Sequence, residues 1–123
     1  MAKILVIEDT PTHMSLVATV LEKSAHVVLR AERALEGIEI ARRRRPDLVL
    51  MDIQMPGMDG LEATRLLKAD AATRHIPIVA MTGFAMAGDR ERILAAGCED
   101  YLAKPFSYKD LLAKVAAVLK KQS

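Results

Sequence analysis

Short, uninterrupted apolar runs separated by helix-length intervals constrain this chain most. Ile4-Leu5-Val6-Ile7, Leu48-Val49-Leu50-Met51 and Ile76-Pro77-Ile78-Val79-Ala80-Met81 show no alternation of polar and apolar residues, and Tyr101-Leu102-Ala103 is a shorter run of the same kind. A strand that is apolar on both faces must be covered on both faces, which is the situation in a parallel sheet flanked by helices. Val27-Val28-Leu29 is hemmed by His26 and Arg30, so it is expected at a sheet edge.

The intervals read as helices. Residues 11–23 carry Met14, Val17, Ala18 and Leu21 on one stripe, with Thr10 as candidate N-cap and Pro11 at the first helical position. Residues 34–45 carry Ala34, Leu35, Ile38 and Ala41 and stop at Pro46. Residues 59–70 carry Leu61, Leu66 and Leu67. The clearest stripe is Leu111, Leu112, Val115, Val118 and Leu119 within 107–121, capped by Ser107 and closed by lysines. The thinnest is Met86, Ile93 and Leu94 within 85–97, ended by Gly97. The order is βαβαβαβαβα, which implies right-handed crossovers and helices on both sides of one parallel sheet. With 123 residues, 51% of them hydrophobic, and no repeat or linker, residues 1–123 are expected to form one unit.

Composition removes several functions. No apolar run approaches the ~20 residues that span a bilayer, and a strand pattern starts at once, so neither a membrane segment nor a signal peptide is expected. Cys98 is the single cysteine, which excludes an internal disulfide framework and points to a reduced, cytoplasmic setting. Aromatic residues are 3% and Trp is absent, against base-stacking surfaces. The net charge of +2 is too small to argue for nucleic acid. The run Arg42-Arg43-Arg44-Arg45 reads as a solvated helix C-terminus favoured by the helix dipole, so no direct DNA binding is expected. His13, His26 and His75 are too scattered for a metal site.

In open parallel sheets, ligands bind beyond the carboxyl ends of the strands. Here those ends carry Glu8-Asp9, Asp52, Thr82-Gly83 and Lys104-Pro105. Each alone has an ordinary structural explanation, as a turn former, a dipole partner or a surface charge. Together they bring three carboxylates, a hydroxyl and an amine to one sheet edge, since neighbouring strands lie about 4.8 Å apart. Gathered carboxylates repel unless they take up protons or share a cation, and an all-oxygen set favours Mg²⁺. Asp9 and Asp52 suit direct ligation, with Glu8 acting through water. A carboxylate beside Mg²⁺ and a lysine is placed to attack phosphorus, with Lys104 and Thr82 binding phosphoryl oxygens.

These residues, in this order, resemble the receiver domain of two-component response regulators. The resemblance rests on Ile7-Glu8-Asp9, on Met51-Asp52-Ile53-Gln54-Met55-Pro56 with Asp59-Gly60, on Met81-Thr82-Gly83 and on Tyr101-Leu102-Ala103-Lys104-Pro105-Phe106, and so covers almost the whole chain. Phe84-Ala85-Met86-Ala87-Gly88-Asp89, with no effector domain, is similar to stand-alone regulators of the DivK type. The resemblance implies an α/β, flavodoxin-like (βα)₅ fold with strand order 2-1-3-4-5. It implies that Asp52 accepts a phosphoryl group from a phosphohistidine on a sensor histidine kinase or histidine phosphotransfer protein. Asp9, Asp52 and the backbone carbonyl of Gln54 would hold Mg²⁺. Thr82 and Lys104 would contact the phosphoryl group, Tyr101 would be the switch aromatic, and the Lys104–Pro105 bond would be cis. A downstream protein target is expected, and the weak apolar stripe of segment 85–97 marks it as the mobile part of a partner surface shared with strand 5 and helix 5.

Two positions stand apart from the pattern. Gly83 follows Thr82 where the family often has Ala, and is expected to loosen that loop; Gln54 lies two residues after the acceptor, where the side chain affects loss of the phosphoryl group. Other readings compete. A hydrolase or mutase using an aspartyl phosphate needs a second acid two residues after the nucleophile, where this chain has Gln54. A flavin or nucleotide binder wants a Gly- or Ser/Thr-rich loop after strand 1, where Glu8-Asp9 would repel phosphate. An inactive module of receiver shape, and a receiver cut from a hybrid histidine kinase, share the motifs.

Overall fold

A computed structural model of the chain describes residues 1–83 and 87–122, with only the backbone of Ala87. Five strands alternate with five helices: β1 (Lys3–Ile7), α1 (Pro11–Lys23), β2 (Val27–Ala31), α2 (Ala34–Arg44), β3 (Leu48–Asp52), α3 (Gly60–Ala69), β4 (Ile78–Thr82), α4 (Ala87–Ala96), β5 (Asp100–Ala103) and α5 (Tyr108–Lys121). All strand pairs are parallel and the sheet order is β2-β1-β3-β4-β5. This is the helix-covered parallel sheet that the alternation implies and the flavodoxin-like strand order that the resemblance implies.

Every residue of β3 and β4 is buried, whereas β2 is exposed or half-buried at every position before Ala31, as its polar flanks require at an edge. Because successive side chains point to opposite faces, each apolar run feeds two cores. Leu5, Ile7, Val49, Met51, Ile78 and Ala80 pack on one side with α2, α3 and α4. Ile4, Val6, Leu48, Leu50, Val79 and Met81 pack on the other with α1 and α5. The sheet is thus fixed from both sides, which holds the strand ends in place.

The helix termini follow local chemistry, with corrections to the sequence reading. Ser107 caps α5 as expected: its hydroxyl accepts from Asp110 N–H while the Asp110 carboxylate accepts from Ser107 N–H. Asp59 caps α3 by accepting from Glu62 N–H at 2.8 Å. Thr10 occupies the N-cap position of α1 without a side-chain cap bond. Its own N–H instead donates to Glu8 Oε1 at 3.2 Å, so an acidic side chain of the preceding strand shapes that turn. Leu35, Leu66 and Leu94 are exposed rather than part of the core. In α2 the inward arc is Ala34, Gly37, Ile38 and Ala41, and Leu35 lies about 100° around the helix from Ala34. The start of the 85–97 stripe, including Met86, lies outside the described residues; Ile93 and Ala96 are the buried contributions of α4. Among the described residues no helix is long and apolar enough to cross a membrane.

One close approach ties a helix start to the site. Gly60 opens α3 directly beneath the end of β3, and its N–H donates to Ile53 O at 3.1 Å. A Cβ at Gly60 would overlap the Asp52 carbonyl oxygen and lie 2.8 Å from Ile53 Cα, both backbone atoms that cannot swing away. Gly60→Ala is therefore expected to destabilise the chain by about 1–3 kcal/mol, the cost of overpacking a filled site. Urea unfolding checks this, and an unchanged midpoint would refute the close approach.

Candidate functional site

The sheet register assembles the site. Ile7 pairs with Met51, so the next residues, Glu8 and Asp52, leave adjacent strands side by side. Asp52 aligns with Met81 and Thr82 with Ala103, which brings Thr82 and then Lys104 to the same edge. Glu8, Asp52 and Thr82 are almost fully buried, at 1%, 2% and 1% exposure. Asp9 is half-buried at the rim.

Carboxylate oxygens of Glu8, Asp9 and Asp52 all lie within 4.8 Å of one another. Lys104 Nζ sits 3.2 Å from Glu8 Oε2 and 3.5 Å from Asp52 Oδ1. Gln54 N–H donates to Asp52 Oδ1 at 3.0 Å. One ammonium and two backbone donors thus face three carboxylates, leaving acceptor oxygens in excess. That donor set is hard, anionic and all-oxygen, and it fits a small divalent cation such as Mg²⁺. The Lys104–Pro105 bond is cis.

Burial pushes the Asp52 carboxyl up from 3.8 to about 6, reinforced by a hydrogen bond and like charge from Glu8; the Gln54 N–H and the Lys104 ammonium pull the other way. Losing hydration outweighs the lysine. The carboxylate at the end of β3 is therefore one that an added cation would stabilise.

The structure brings together Glu8, Asp9, Asp52, Thr82 and Lys104, read from the strand ends, with Gln54, which the resemblance added. Tyr101 lies apart in β5, half-buried against the core shared with α4. Met55 is buried and Met58 packs on the same core, so both serve the fold beside the cradle rather than its open rim. Two features were missed in the sequence. His13 Nδ1 lies 3.9 Å from Glu8 Oε1, which follows from its position in the first turn of α1. It adjoins a hollow of about 370 Å³ walled by Leu16, Val17 and Phe106 and floored by Glu8 and Lys104. The Gln54 side chain also acts: its Oε1 accepts from Gly83 N–H at 3.3 Å. The sequence marked both positions as departures, without linking them.

The raised carboxyl of Asp52 has a defined consequence. A group whose folded pKa is raised holds its proton better in the folded chain, so its contribution is most favourable below pH ~4 and is lost as pH rises through about 6. In the presence of chelator, Asp52→Asn is therefore expected to be more stable than the wild type at pH 7.5, by on the order of 2 kcal/mol. The difference should shrink towards pH 4 and also when Mg²⁺ is restored to the wild type. Urea midpoints at both pH values measure it; a pH-independent difference would contradict the raised carboxyl of Asp52.

Comparison with known proteins agrees with this geometry. The family model for the response regulator receiver domain matches residues 4–116. The polar-differentiation response regulator DivK of Brucella anthropi is 43% identical over 116 residues, covering 94% of each chain. The receiver domain of a sensor histidine kinase from Pseudomonas aeruginosa, solved with a magnesium ion coordinated in its active-site cleft, is 36% identical, with a TM-score of 0.85 over 98% of this chain and 96% of that one. The chemotaxis protein CheY4 of Vibrio cholerae is 26% identical, with a TM-score of 0.91 over 96% of this chain and 98% of that one. A family match from β1 into α5, on a chain whose strand ends converge as they do here, makes this protein a member of the response regulator receiver family, the phosphoryl-accepting signalling domains of two-component systems.

Proposed function

We propose that Asp52 is the phosphoryl acceptor, that the donor is a phosphohistidine on a sensor histidine kinase or histidine phosphotransfer protein, and that the transfer depends on Mg²⁺. The observation that carries this reading is the position of the Asp52 carboxylate. It ends the central strand, is almost wholly buried, and has Lys104 Nζ at 3.5 Å and two further carboxylates around it.

Asp9, Asp52 and the carbonyl of Gln54 would hold the ion, with Glu8 acting through water. When bound, Mg²⁺ supplies the positive charge that offsets the carboxylates and the incoming phosphoryl oxygens. An Asp52 oxygen attacks phosphorus as the P–N bond breaks, and the bonding pair leaves on the imidazole nitrogen. Lys104 exchanges its contacts with Glu8 and Asp52 for a phosphoryl oxygen, so its charge is already in place before transfer. Thr82 donates its hydroxyl hydrogen to another. The chain therefore catalyses only its own modification and its reversal.

A phosphoryl group adds charge and three acceptor oxygens at the sheet edge. Reaching them draws the Thr82 loop towards Asp52, and Tyr101, half-buried on the neighbouring strand, turns inward into the space released. The altered face is α4 with β5 and α5, and a downstream protein target reads it. The hollow beside Glu8 and Lys104, with Leu16 and Phe106 on its wall, suits an apolar contact from the donor protein. We also propose that residues 1–123 act as one receiver unit in the cytoplasm without binding DNA directly. The likeness to the Pseudomonas kinase receiver favours a second reading, in which the chain is part of a hybrid kinase. A specific antibody that detects only a much larger polypeptide in the native cells would select it.

Intact-mass analysis after incubation with a small phosphodonor tests the chemistry. Wild type with Mg²⁺ should gain one phosphoryl group; chelated wild type and Asp52→Asn should gain none. Lys104→Ala should be labelled at least tenfold more slowly, since a preplaced charge in a water-poor site is lost. Labelling that persists in Asp52→Asn would refute the acceptor assignment.

A further inference from the structure

The peptide unit between Thr82 and Gly83 is gripped at both its polar atoms. Its carbonyl oxygen, on Thr82, accepts from Lys104 N–H at 2.7 Å. Its N–H, on Gly83, donates to Gln54 Oε1 at 3.3 Å. In a trans peptide these two groups point in opposite directions. One grip therefore comes from the β5 side and the other from the loop after β3. Both gripping residues belong to the site: Lys104 by its ammonium, Gln54 by its place two residues after Asp52.

Gly83 is part of the same device. A Cβ there would stand 3.3 Å from Gln54 Oε1, its only contact within 4 Å among the described residues. The amide oxygen thus occupies the approach that a side chain at position 83 would crowd. The two departures from the family pattern account for each other: the glycine leaves room, and the glutamine uses it.

We propose that the Gln54 side chain is a positioning residue that holds the Thr82–Gly83 peptide in its resting place and so sets how readily the phosphorylated state forms. The inference rests on the reading of Asp52 as acceptor and Thr82 as its phosphoryl contact. Thr82 cannot advance on Asp52 without carrying the Gly83 N–H away from Gln54 Oε1. The hydrogen bond to Gln54 exists only in the resting arrangement, and its loss is a cost of switching. Lys104 N–H grips the other end of the same peptide, so the ammonium and the hydroxyl reach the phosphoryl group as linked parts.

The test combines amide exchange by NMR with affinity for beryllium trifluoride, a phosphoryl mimic, in the presence of Mg²⁺. In the unmodified protein, Gln54→Ala should lower the protection of the Gly83 amide while leaving that of Lys104 unchanged, and Gln54→Glu, which keeps an acceptor at the same reach, should restore it. Gln54→Ala and Gly83→Ala should each tighten beryllium trifluoride binding about three- to tenfold, the range an ordinary hydrogen bond supports. Gly83→Ala acts through crowding of Oε1, so the double variant should gain no more than the larger single effect. Unchanged Gly83 protection in Gln54→Ala, or unchanged or weaker binding in both single variants, would overturn the proposal. If the wild type itself takes no beryllium trifluoride at Asp52, the acceptor reading fails, and the exchange experiment still decides whether Gln54 holds the peptide.

Discussion

Three carboxylates forced together at the end of a buried sheet are the constraint on which the rest of the structure depends. Glu8, Asp9 and Asp52 lie within one ion's reach, and two of them are almost fully buried. Such an arrangement is costly in an empty state, and it persists because the two apolar layers behind it leave the strands no freedom to separate. Leu5 and Ile7 are committed to one core and Ile4 and Val6 to the other, so β1 cannot slip by one residue without exchanging its faces. The hydrophobic register therefore does electrostatic work. It holds like charges at a spacing that only protons, a lysine or a divalent cation relieves.

The rest of the site follows from how that relief is shared. Lys104 contacts both Glu8 and Asp52, yet Asp52 still has its carboxyl raised, because burial outweighs a single ammonium at 3.5 Å. A lysine strong enough to neutralise the cradle alone would leave nothing for a divalent cation to supply. The incomplete compensation keeps the site responsive. By contrast, the ion pairs between Arg42 and Asp70 and between Lys114 and Asp100 lie at the surface, where each is worth little. The protein's electrostatic leverage is concentrated at one end of the sheet.

Much of this was legible in the sequence because parallel sheets leave a plain trace. Runs with no polar interruption, such as Leu48–Met51, suit strands covered on both faces, and the first polar residue after each run is then the one expected at the sheet's carboxyl edge. Asp52 and Thr82 were found in this way, as was Lys104. Helix faces were less legible. Leu35, Leu66 and Leu94 satisfy helical spacing but fall outside the narrow arc that meets the sheet, and small residues such as Ala34 and Gly37 do the packing instead. Spacing cannot distinguish a leucine on the inward arc from one on its shoulder. The end of α2 shows a similar limit: Arg45, not a glycine, takes the left-handed conformation before Pro46.

What the sequence could not give was the pairing of its own exceptions. Gln54 and Gly83 each stood out singly, one read as a modifier of phosphoryl loss and the other as a loosened loop. Their contact spans 29 residues and depends on β3 and β4 being neighbours, with Asp52 opposite Met81. Only the register turns two local oddities into one bond. The same logic runs through Lys104, whose N–H reaches the Thr82 carbonyl because β4 and β5 pair Thr82 with Ala103. Asp52, Thr82 and Lys104, at the ends of three neighbouring strands, are thus joined by backbone atoms as well as by charge.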